Sequence, residues 1–246
     1  MNETLKLLHT HRSERSYSDA PVSDADLDAI VEAAYRAPTS INSQQISLVV
    51  VRDAARRAEL ARIAGGQTWI AQAPVFIVVI IDFNKTALAA QLAGQTQVIH
   101  ESVEGFASSA VDAGIALGNL IVAARSLGLG IVPIGGIRRD PQALIDLLNL
   151  PPLTYPIVGV SIGHVETPAH QKPRLPITSF RHTEQYDATA LEPAIVEYDR
   201  TLTEYWQSIG RSDGLPWSVN TAGAYSKVYC PETRSATVRQ GFLNDK

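Results

Sequence analysis

Two clusters of basic side chains, far apart in this sequence, are of the residue types that bind phosphate. The first is the run His11-Arg12-Ser13-Glu14-Arg15, and the second is Lys172-Pro173-Arg174. A guanidinium group fits a phosphate bidentately, lysine adds a point charge, and serine adds a hydroxyl donor. Either cluster alone is typical of a solvated surface loop, because Arg and Lys are usually exposed. Together they predict a phosphate-bearing ligand whose site lies between them.

Three short segments between these clusters could contact a flat heterocycle. Pro133-Ile134-Gly135-Gly136 ends a predicted buried strand, and adjacent glycines let backbone N–H groups approach a ligand closely. Pro38–Gln44 carries hydroxyls and amides, and Gly65-Gly66-Gln67 presents one amide at a turn. Each segment taken alone is also an ordinary turn or capping loop, so both interpretations stay open at this point.

One segment favours a different chemistry. Gly159–Gly163 matches G-x-S-x-G, the nucleophile elbow of serine hydrolases. The elbow needs a strand, a sharp turn and then a helix, whereas the segment that follows has no helical pattern. The available bases are His164, His170 and His182, and Glu166 is too close in sequence to act as their acid. We keep a hydrolase using Ser161 as the alternative function and expect Ser161 to be a strand residue.

Composition and missing motifs exclude several classes of function. The net charge of −4 argues against a nucleic-acid or anionic membrane surface. No phosphate loop and no G-x-G-x-x-G occur, so ATP chemistry and a Rossmann nicotinamide site have no support. The lone Cys230 excludes an intrachain disulfide and an iron–sulfur cluster, and the histidines lack metal-ligand spacing, so no metal site is expected.

The sequence also predicts a cytoplasmic protein. The longest unbroken apolar stretch, Ala73–Ile81, is far short of a bilayer span. The segment Met1–His11 has no long apolar region followed by a small-residue cleavage site.

Apolar periodicity predicts strands separated by helices, which is a layered αβα arrangement. The predicted strands are Ile46–Val51, Pro74–Asp82, Gly128–Ile134 and Tyr155–Gly163. The predicted helices are one capped by Ser23 and ending before Pro38, then Ser102–Leu127, Asp140–Asn149, Thr189–Ile209 and a short piece near Glu232–Gly241. Gly114 and Gly118 indicate close helix packing, either in the core or at a dimer interface. We expect one domain over residues 1–246, with 210–246 as a C-terminal extension.

In chain order, the motifs H-R-S-x-R, P-T-S-x-N-S-Q, P-I-G-G-I-R and K-P-R-L-P resemble the FMN-dependent nitroreductase superfamily. The sequence is most similar to the branch with NADPH-linked oxygen-insensitive nitroreductases and flavin reductases, over roughly residues 5–180. The resemblance implies an α+β fold, a three-layer αβα sandwich with a central, mostly antiparallel sheet flanked by helices. It also implies an intertwined homodimer with FMN sites at the subunit interface.

The resemblance further implies which residues contact FMN. The residues expected at the phosphate and ribityl chain of FMN are His11, Arg12, Ser13, Lys172 and Arg174. Arg15 would reach the pyrimidine edge of the ring, and Gln67 would hydrogen-bond the ring. The Gly135 N–H would point at N5, framed by Ile134 and Gly136. Those expected from the partner subunit are Thr39, Ser40 and Asn42.

The implied activity is a ping-pong transfer of hydride from NAD(P)H through flavin N5 to nitroaromatic, quinone, azo or flavin acceptors. A fixed Arg near N1 and O2 favours the reduced anion. No acid–base side chain is required, because the flavin carries the reaction and solvent can supply protons. NADPH is the expected co-substrate and NADH an alternative one.

Some implications stay open. Arg234 or Arg239 could grip the 2′-phosphate of NADPH or be a surface residue, and Arg138 could line the substrate mouth or a solvated loop. A related flavoprotein that performs reductive dehalogenation or flavin fragmentation, and a non-catalytic FMN-binding module, are further alternatives. The sequence does not define the physiological electron acceptor.

Overall fold

The computed structural model describes residues 1–243 and 245–246. Over this part of the chain there are ten α-helices and four β-strands. The strands are β1 (Ile46–Val51), β2 (Val75–Asp82), β3 (Gly130–Ile134) and β4 (Thr154–Gly163). The helices are α1 (Glu3–His9), α2 (Asp24–Tyr35), α3 (Ala54–Ile63), α4 (Thr68–Gln72), α5 (Phe83–Leu92), α6 (Val103–Ser126), α7 (Pro141–Leu147), α8 (Leu191–Ser208), α9 (Trp217–Tyr225) and α10 (Thr233–Arg239).

The chain divides into two compact units. Unit 1 consists of Met1–Ala169 and Cys230–Lys246 and holds the four strands, and unit 2 consists of His170–Tyr229. The predicted start of a C-terminal extension, residue 210, falls within unit 2. That residues 1–246 act as one domain stays a prediction.

The sheet of unit 1 has the strand order β1-β2-β4-β3, and every neighbouring pair is antiparallel. Strand β2 is buried from Val75 to Ile81, since it has a neighbouring strand on each side and helices over each face. A strand that is covered on both faces has a continuous apolar sequence, which is why the apolar pattern predicted this strand. The predicted antiparallel sheet is confirmed.

Helices cover both faces of this sheet and complete three layers. Phe76, Val78 and Ile80 of β2 pack against residues of α3, α4 and α7. Val75 and Ile77 point to the other face and pack against α2 and α6. This alternation follows from the two-residue period of a strand, and it confirms the predicted αβα sandwich.

Local capping signals are confirmed where the sequence placed them. The Ser23 side chain accepts the N–H of Asp26 at the start of α2. Asp140 accepts the N–H of Ala143, with Pro141 in the first turn of α7. Helix α7 ends at Leu147, slightly before the predicted Asn149, because Asn149 has a φ of 50° and leaves the helical conformation.

Helix α6 is long and apolar enough to cross a bilayer by length and composition alone. One face, however, packs on the sheet and on α2, and it carries the buried carboxylate of Asp112. Gly114 and Gly118 lie on the opposite, exposed face, where no described atom would lie within 4 Å of an added Cβ. The prediction of a core packing role for these glycines is therefore wrong, and a dimer interface stays a prediction.

Unit 2 is built on α8. Its buried side chains recur every four residues as Tyr198, Leu202 and Trp206, and they pack with Leu175 and Trp217. This spacing keeps all three on one helix face. The unit therefore has a small aromatic core of its own.

Candidate functional site

The basic run lies between α1 and the edge strand β3, and its one acid anchors it. Glu14 is buried, and its carboxylate accepts Arg12 Nε and the Ala169 N–H, both at 2.7 Å. Its own N–H donates to the carbonyl of Ile131 in β3 at 3.1 Å. Glu14 thus orients Arg12 and fixes the run to the sheet. This role of Glu14 was not predicted, although an acidic residue within a basic cluster was a usable signal.

Arg125, in the last turn of α6, holds the start of the same run. Its guanidinium donates to the carbonyls of Leu7 and Thr10, which end α1. Burial, and after it the nearby Arg12, lower the pKa of Arg125 from its ordinary value. His11 and Arg125 line one cleft of about 190 Å³. The contact joins residues far apart in sequence, so no local signal revealed it.

Arg15 lies over an aromatic ring. Its Cζ is 5.5 Å from the ring centroid of Trp69, within the range of a cation–π contact. Arg15 is exposed and its Nη1 also donates to the Ser13 carbonyl at 3.2 Å. Trp69 is partly buried against the core. Trp69 was not predicted, although an aromatic residue two positions after Gln67 was a usable signal.

The glycine turn and Gln67 lie together, as expected for one site. Strand β3 ends at the buried Ile134, and a 3₁₀ helix (Gly135–Arg139) follows. Gln67 Nε2 donates to the Ala64 carbonyl at 2.9 Å, and a Cβ on Gly136 would collide with that nitrogen. The first N–H groups of a helix have no partner within it. The turn can therefore offer backbone donors beside the Gln67 amide, with no side chain of its own at Gly135 and Gly136.

Arg138 borders the same turn. The β2–β4 register shifts between Val79 and Ile80, which leaves Ile157 without an opposite residue. Arg138 donates to the freed carbonyl of Ile157. Its Nη2 would lie 3.1 Å from a Cβ on Gly135. The solvated-loop interpretation of Arg138 is wrong, because its guanidinium is bonded to the sheet; a role at the substrate mouth stays a prediction.

The predicted loop Thr39–Gln44 lies elsewhere in unit 1. It contains a 3₁₀ helix (Ser40–Asn42) and bonds to Asp112 of α6 and Lys85 of α5. Helix α6 covers one face of the sheet, whereas Gln67 and the glycine turn adjoin α3 on the other. One chain therefore does not bring Thr39, Ser40 and Asn42 to Arg15, and their contribution to a partner's site stays a prediction.

The second basic cluster belongs to unit 2. Lys172 Nζ lies 5.2 Å from the ring centroid of Trp206, and Tyr198 Oη donates to the Pro173 carbonyl at 2.8 Å. Arg174 is exposed, and its Nη1 donates to the Lys172 carbonyl at 3.3 Å. The aromatic face of α8 thus holds the segment 172–174 through Trp206 and Tyr198. Trp206 was not predicted, because the sequence shows it only as one member of an apolar helix face.

The two candidate residues for a nucleotide 2′-phosphate lie on α10 of unit 1. Arg234 is exposed. Arg239 Nε donates to Gln142 Oε1 of α7 at 2.7 Å, so it already joins two helices. The geometry therefore favours Arg234 of the two, and its role stays a prediction.

Ser161 does not form a nucleophile elbow. It is fully buried inside β4, opposite Phe76 of β2 and Val132 of β3. The strand continues to Gly163, and Val165 then bridges to Tyr17 without a helix. The strand–turn–helix geometry that a hydrolase serine needs is missing from this stretch of described residues.

Two sequence profiles match the chain. The profile described as the nitroreductase family matches residues 8–164, and the profile described as its C-terminal domain matches residues 172–245. Similarity to this family therefore extends into both compact units.

Individual proteins are similar over most or all of the chain. FMN reductase (NAD(P)H) of Bacillus subtilis is 43% identical over 251 residues, covering 100% of both chains. Oxygen-insensitive NADPH nitroreductase of Salmonella typhimurium is 36% identical and covers 85% of each. The solved structure of B. megaterium NfrA2 superposes with a TM-score of 0.97 at 40% identity, covering 100% of both chains.

Proposed function

Since this chain belongs to the nitroreductase family, we propose that it is an FMN-dependent NAD(P)H oxidoreductase. The name of the similar Bacillus subtilis enzyme includes both FMN and NAD(P)H. The observation that carries the proposal is the grouping of Arg15, Gln67 and the Gly135-Gly136 turn at one place in unit 1. These three features are the ones that a flavin ring requires.

The residues present fit FMN. Gly136 lets the Gln67 amide pack directly against the backbone of the turn, where a Cβ would collide with it, so the amide and the turn lie side by side. Arg15 and Gln67 supply donors for a pyrimidine edge, which carries carbonyl acceptors. Lys172 and Arg174 are exposed cations suited to a phosphate. Unit 1 therefore supplies donors of the type that a flavin ring accepts, and unit 2 supplies cations of the type that bind a phosphate.

When bound, FMN supplies the N5 atom that accepts a hydride from NAD(P)H and passes it to the acceptor. Arg15 provides fixed positive charge where the ring gains electrons, and such pre-organised charge lowers the barrier. The Gly135 N–H orients the ring at its reactive edge. Glu14 and Arg125 hold His11, Arg12 and Ser13 in place for the phosphate and ribityl chain.

We propose nitroaromatics, quinones, azo compounds and free flavin as acceptors, reduced in a ping-pong reaction. The support is that the similar enzymes are named as FMN reductases and as an oxygen-insensitive NADPH nitroreductase. Within the described residues, the side chains that lie against the glycine turn are those of Gln67 and Arg138, which suits a cofactor that carries the reaction itself. NADPH is the proposed co-substrate, with NADH as an alternative.

The proposal includes a cytoplasmic homodimer. The exposed face of α6 carries Val111, Gly114, Ile115 and Gly118, an apolar strip on the surface of the described part of the chain. Thr39, Ser40 and Asn42 lie over the helical layer opposite the glycine turn. A second copy would cover the strip and could supply this loop to the site.

A flavin spectrum with nicotinamide titrations tests the proposed function. We expect yellow protein that NADPH bleaches without oxygen and that a quinone or nitrofuran reoxidises. Parallel titration with NADH measures the preference, and a panel of acceptors separates this activity from dehalogenation or flavin fragmentation. Colourless protein that FMN does not reconstitute contradicts the proposal, and a bound flavin that neither nicotinamide reduces indicates a binding module.

A further inference from the structure

The loop Thr39–Gln44 is held in a strained backbone conformation. Ile41, Asn42 and Gln44 have φ values of 49°, 58° and 52°, in the left-handed region that glycine favours. For a β-branched residue such as Ile41, this conformation is an outlier. The Ile41 side chain is 95% exposed, so packing within this chain does not offset the strain. Strain of this kind persists only where surrounding contacts enforce it.

The main enforcing contact comes from α6. Asp112 is 4% exposed, and its Oδ2 accepts the Ser40 N–H at 3.0 Å and Gln45 Nε2 at 2.6 Å. Gln45 is 2% exposed, and its Oε1 accepts the Ser43 hydroxyl. One carboxylate oxygen therefore fixes the loop at both of its ends.

A second contact holds the loop from its outer side. Lys85 Nζ donates to the carbonyls of Gln44 and Ile46 at 2.9 and 3.1 Å. Thr39 Oγ1 also accepts the Gln44 N–H at 3.0 Å. The carbonyls and amides at the loop ends are thus committed to fixed partners, which leaves the loop little freedom.

The burial of Asp112 depends on its hydrogen bonds to the loop. A buried carboxylate is unfavourable unless it is hydrogen-bonded or paired. Asp112 forms no ion pair within the described residues, so its bonds to Ser40 and Gln45 are what offset its burial. Its neighbours on the buried face of α6 are alanine, leucine and serine. The carboxylate therefore serves the loop and not the packing of the helix.

We propose that Asp112, acting through Gln45, is a positioning residue that holds the Thr39–Gln44 loop in its FMN-binding conformation. This inference rests on the proposed function, in which Thr39, Ser40 and Asn42 contact the cofactor of a partner subunit. Asp112 does not touch the cofactor. It keeps the backbone of the loop in its strained conformation in the apo protein, so that FMN binding does not have to order the loop.

Variants of the full-length protein test this role. We expect Asp112→Ala to weaken FMN binding about tenfold, since the Ser40 N–H and the buried Gln45 amide lose their acceptor. Asp112→Asn is expected to restore most of the affinity, because both hydrogen bonds end on one oxygen that an amide can replace. In apo protein, hydrogen exchange of residues 39–45 should quicken in the alanine variant and not in the asparagine variant.

Asn119→Ala is the matched control. Asn119 lies further along α6, and its Nδ2 donates to the Ala33 carbonyl at 3.1 Å, away from the loop. This variant should lower the thermal midpoint while leaving FMN affinity and exchange at 39–45 unchanged. If Asp112→Ala fails to fold, Gln45→Leu removes the amide donor without altering α6, and it should show the same weakened binding and faster exchange.

The inference is overturned if Asp112→Ala, or Gln45→Leu in its place, changes FMN affinity no more than Asn119→Ala does. It is also overturned if exchange at residues 39–45 is unaltered. Wild-type protein that binds no FMN would instead refute the proposed function, and the apo exchange comparison would still report whether Asp112 holds the loop. The two failures are therefore distinguishable.

Discussion

At the scale of single residues, the cations of the candidate site differ in how they are held. Arg12 is paired with the buried Glu14, whereas Arg15 and Lys172 lie over the rings of Trp69 and Trp206. An aromatic ring orients a cation without neutralising it, and contributes about 0.5–1 kcal/mol at an exposed site. The charge of Arg15 therefore stays available to an electron-rich ring.

Substitutions of Arg15 and of Lys172 should change different quantities. The first should change the rate of flavin reduction, and the second should change the retention of FMN. Arg15→Ala is expected to slow flavin reduction about a hundredfold, because a charge that stabilises the reduced ring is lost. Lys172→Ala is expected mainly to raise the FMN dissociation constant about tenfold through a lost phosphate contact. Stopped-flow reduction and flavin fluorescence measure the two quantities. Equal effects of both variants on both quantities contradict these roles.

Trp69 should act through Arg15. We expect Trp69→Leu to slow flavin reduction about two- to fivefold, because the guanidinium loses the ring that orients it. Trp69→Phe keeps a ring and serves as the control, with a smaller effect. Combined with Arg15→Ala, Trp69→Leu should add nothing further. Full additivity in that double variant would show that Trp69 does not work through Arg15.

At the scale of elements, prediction succeeded where the signal was local. Strand β1 has the predicted bounds Ile46–Val51, and the Ser23 and Asp140 caps lie where expected. Helices α1, α3, α4, α5 and α9 were not predicted. In α3, charged residues interrupt the apolar spacing, and α5 begins directly after β2 with Asp82 as its cap. No turn signal therefore separated that helix from the strand.

Ser161 offers a test at the level of strand β4. Its hydroxyl is buried without a hydrogen-bond partner among the described residues. Replacing it by alanine removes an unsatisfied polar group, so we expect the free energy of unfolding to stay equal or rise by about 1 kcal/mol. Urea denaturation measures this. NADPH oxidation should be unchanged and fluorophosphonate labelling negative; a loss of activity with lost labelling would support the hydrolase alternative.

At the scale of the whole molecule, the exposed strip of α6 is the feature that unit 1 leaves unexplained. Val111 is 62% exposed, and Gly114 and Gly118 allow a second backbone to approach closely. An apolar strip on a long helix marks an interaction surface. The proposed homodimer accounts for it and for the separation of the Thr39–Gln44 loop from the glycine turn.

The proposed role of the α6 strip as a dimer interface can be tested without disturbing the core. Val111→Glu places a charge in the proposed interface and should raise the dimer dissociation constant about tenfold or more. FMN affinity should fall with it, since in the proposed dimer the partner's Thr39–Gln44 loop contributes to each site. Val111→Thr keeps the shape and is the control. Light scattering after size exclusion measures the oligomer, and a Val111→Glu dimer with wild-type affinity would contradict the assignment.

The sequence by itself determined which residue types stand at the site and which elements carry them. Caps, apolar strands and glycine turns are set by neighbours along the chain, so they can be read locally. Only the tertiary structure decided the strand order, the exposure of Gly114 and Gly118, and the contacts of Glu14 with Ala169 and of Asp112 with Ser40. Those features depend on residues that become neighbours only when distant segments pack, and no local pattern records them.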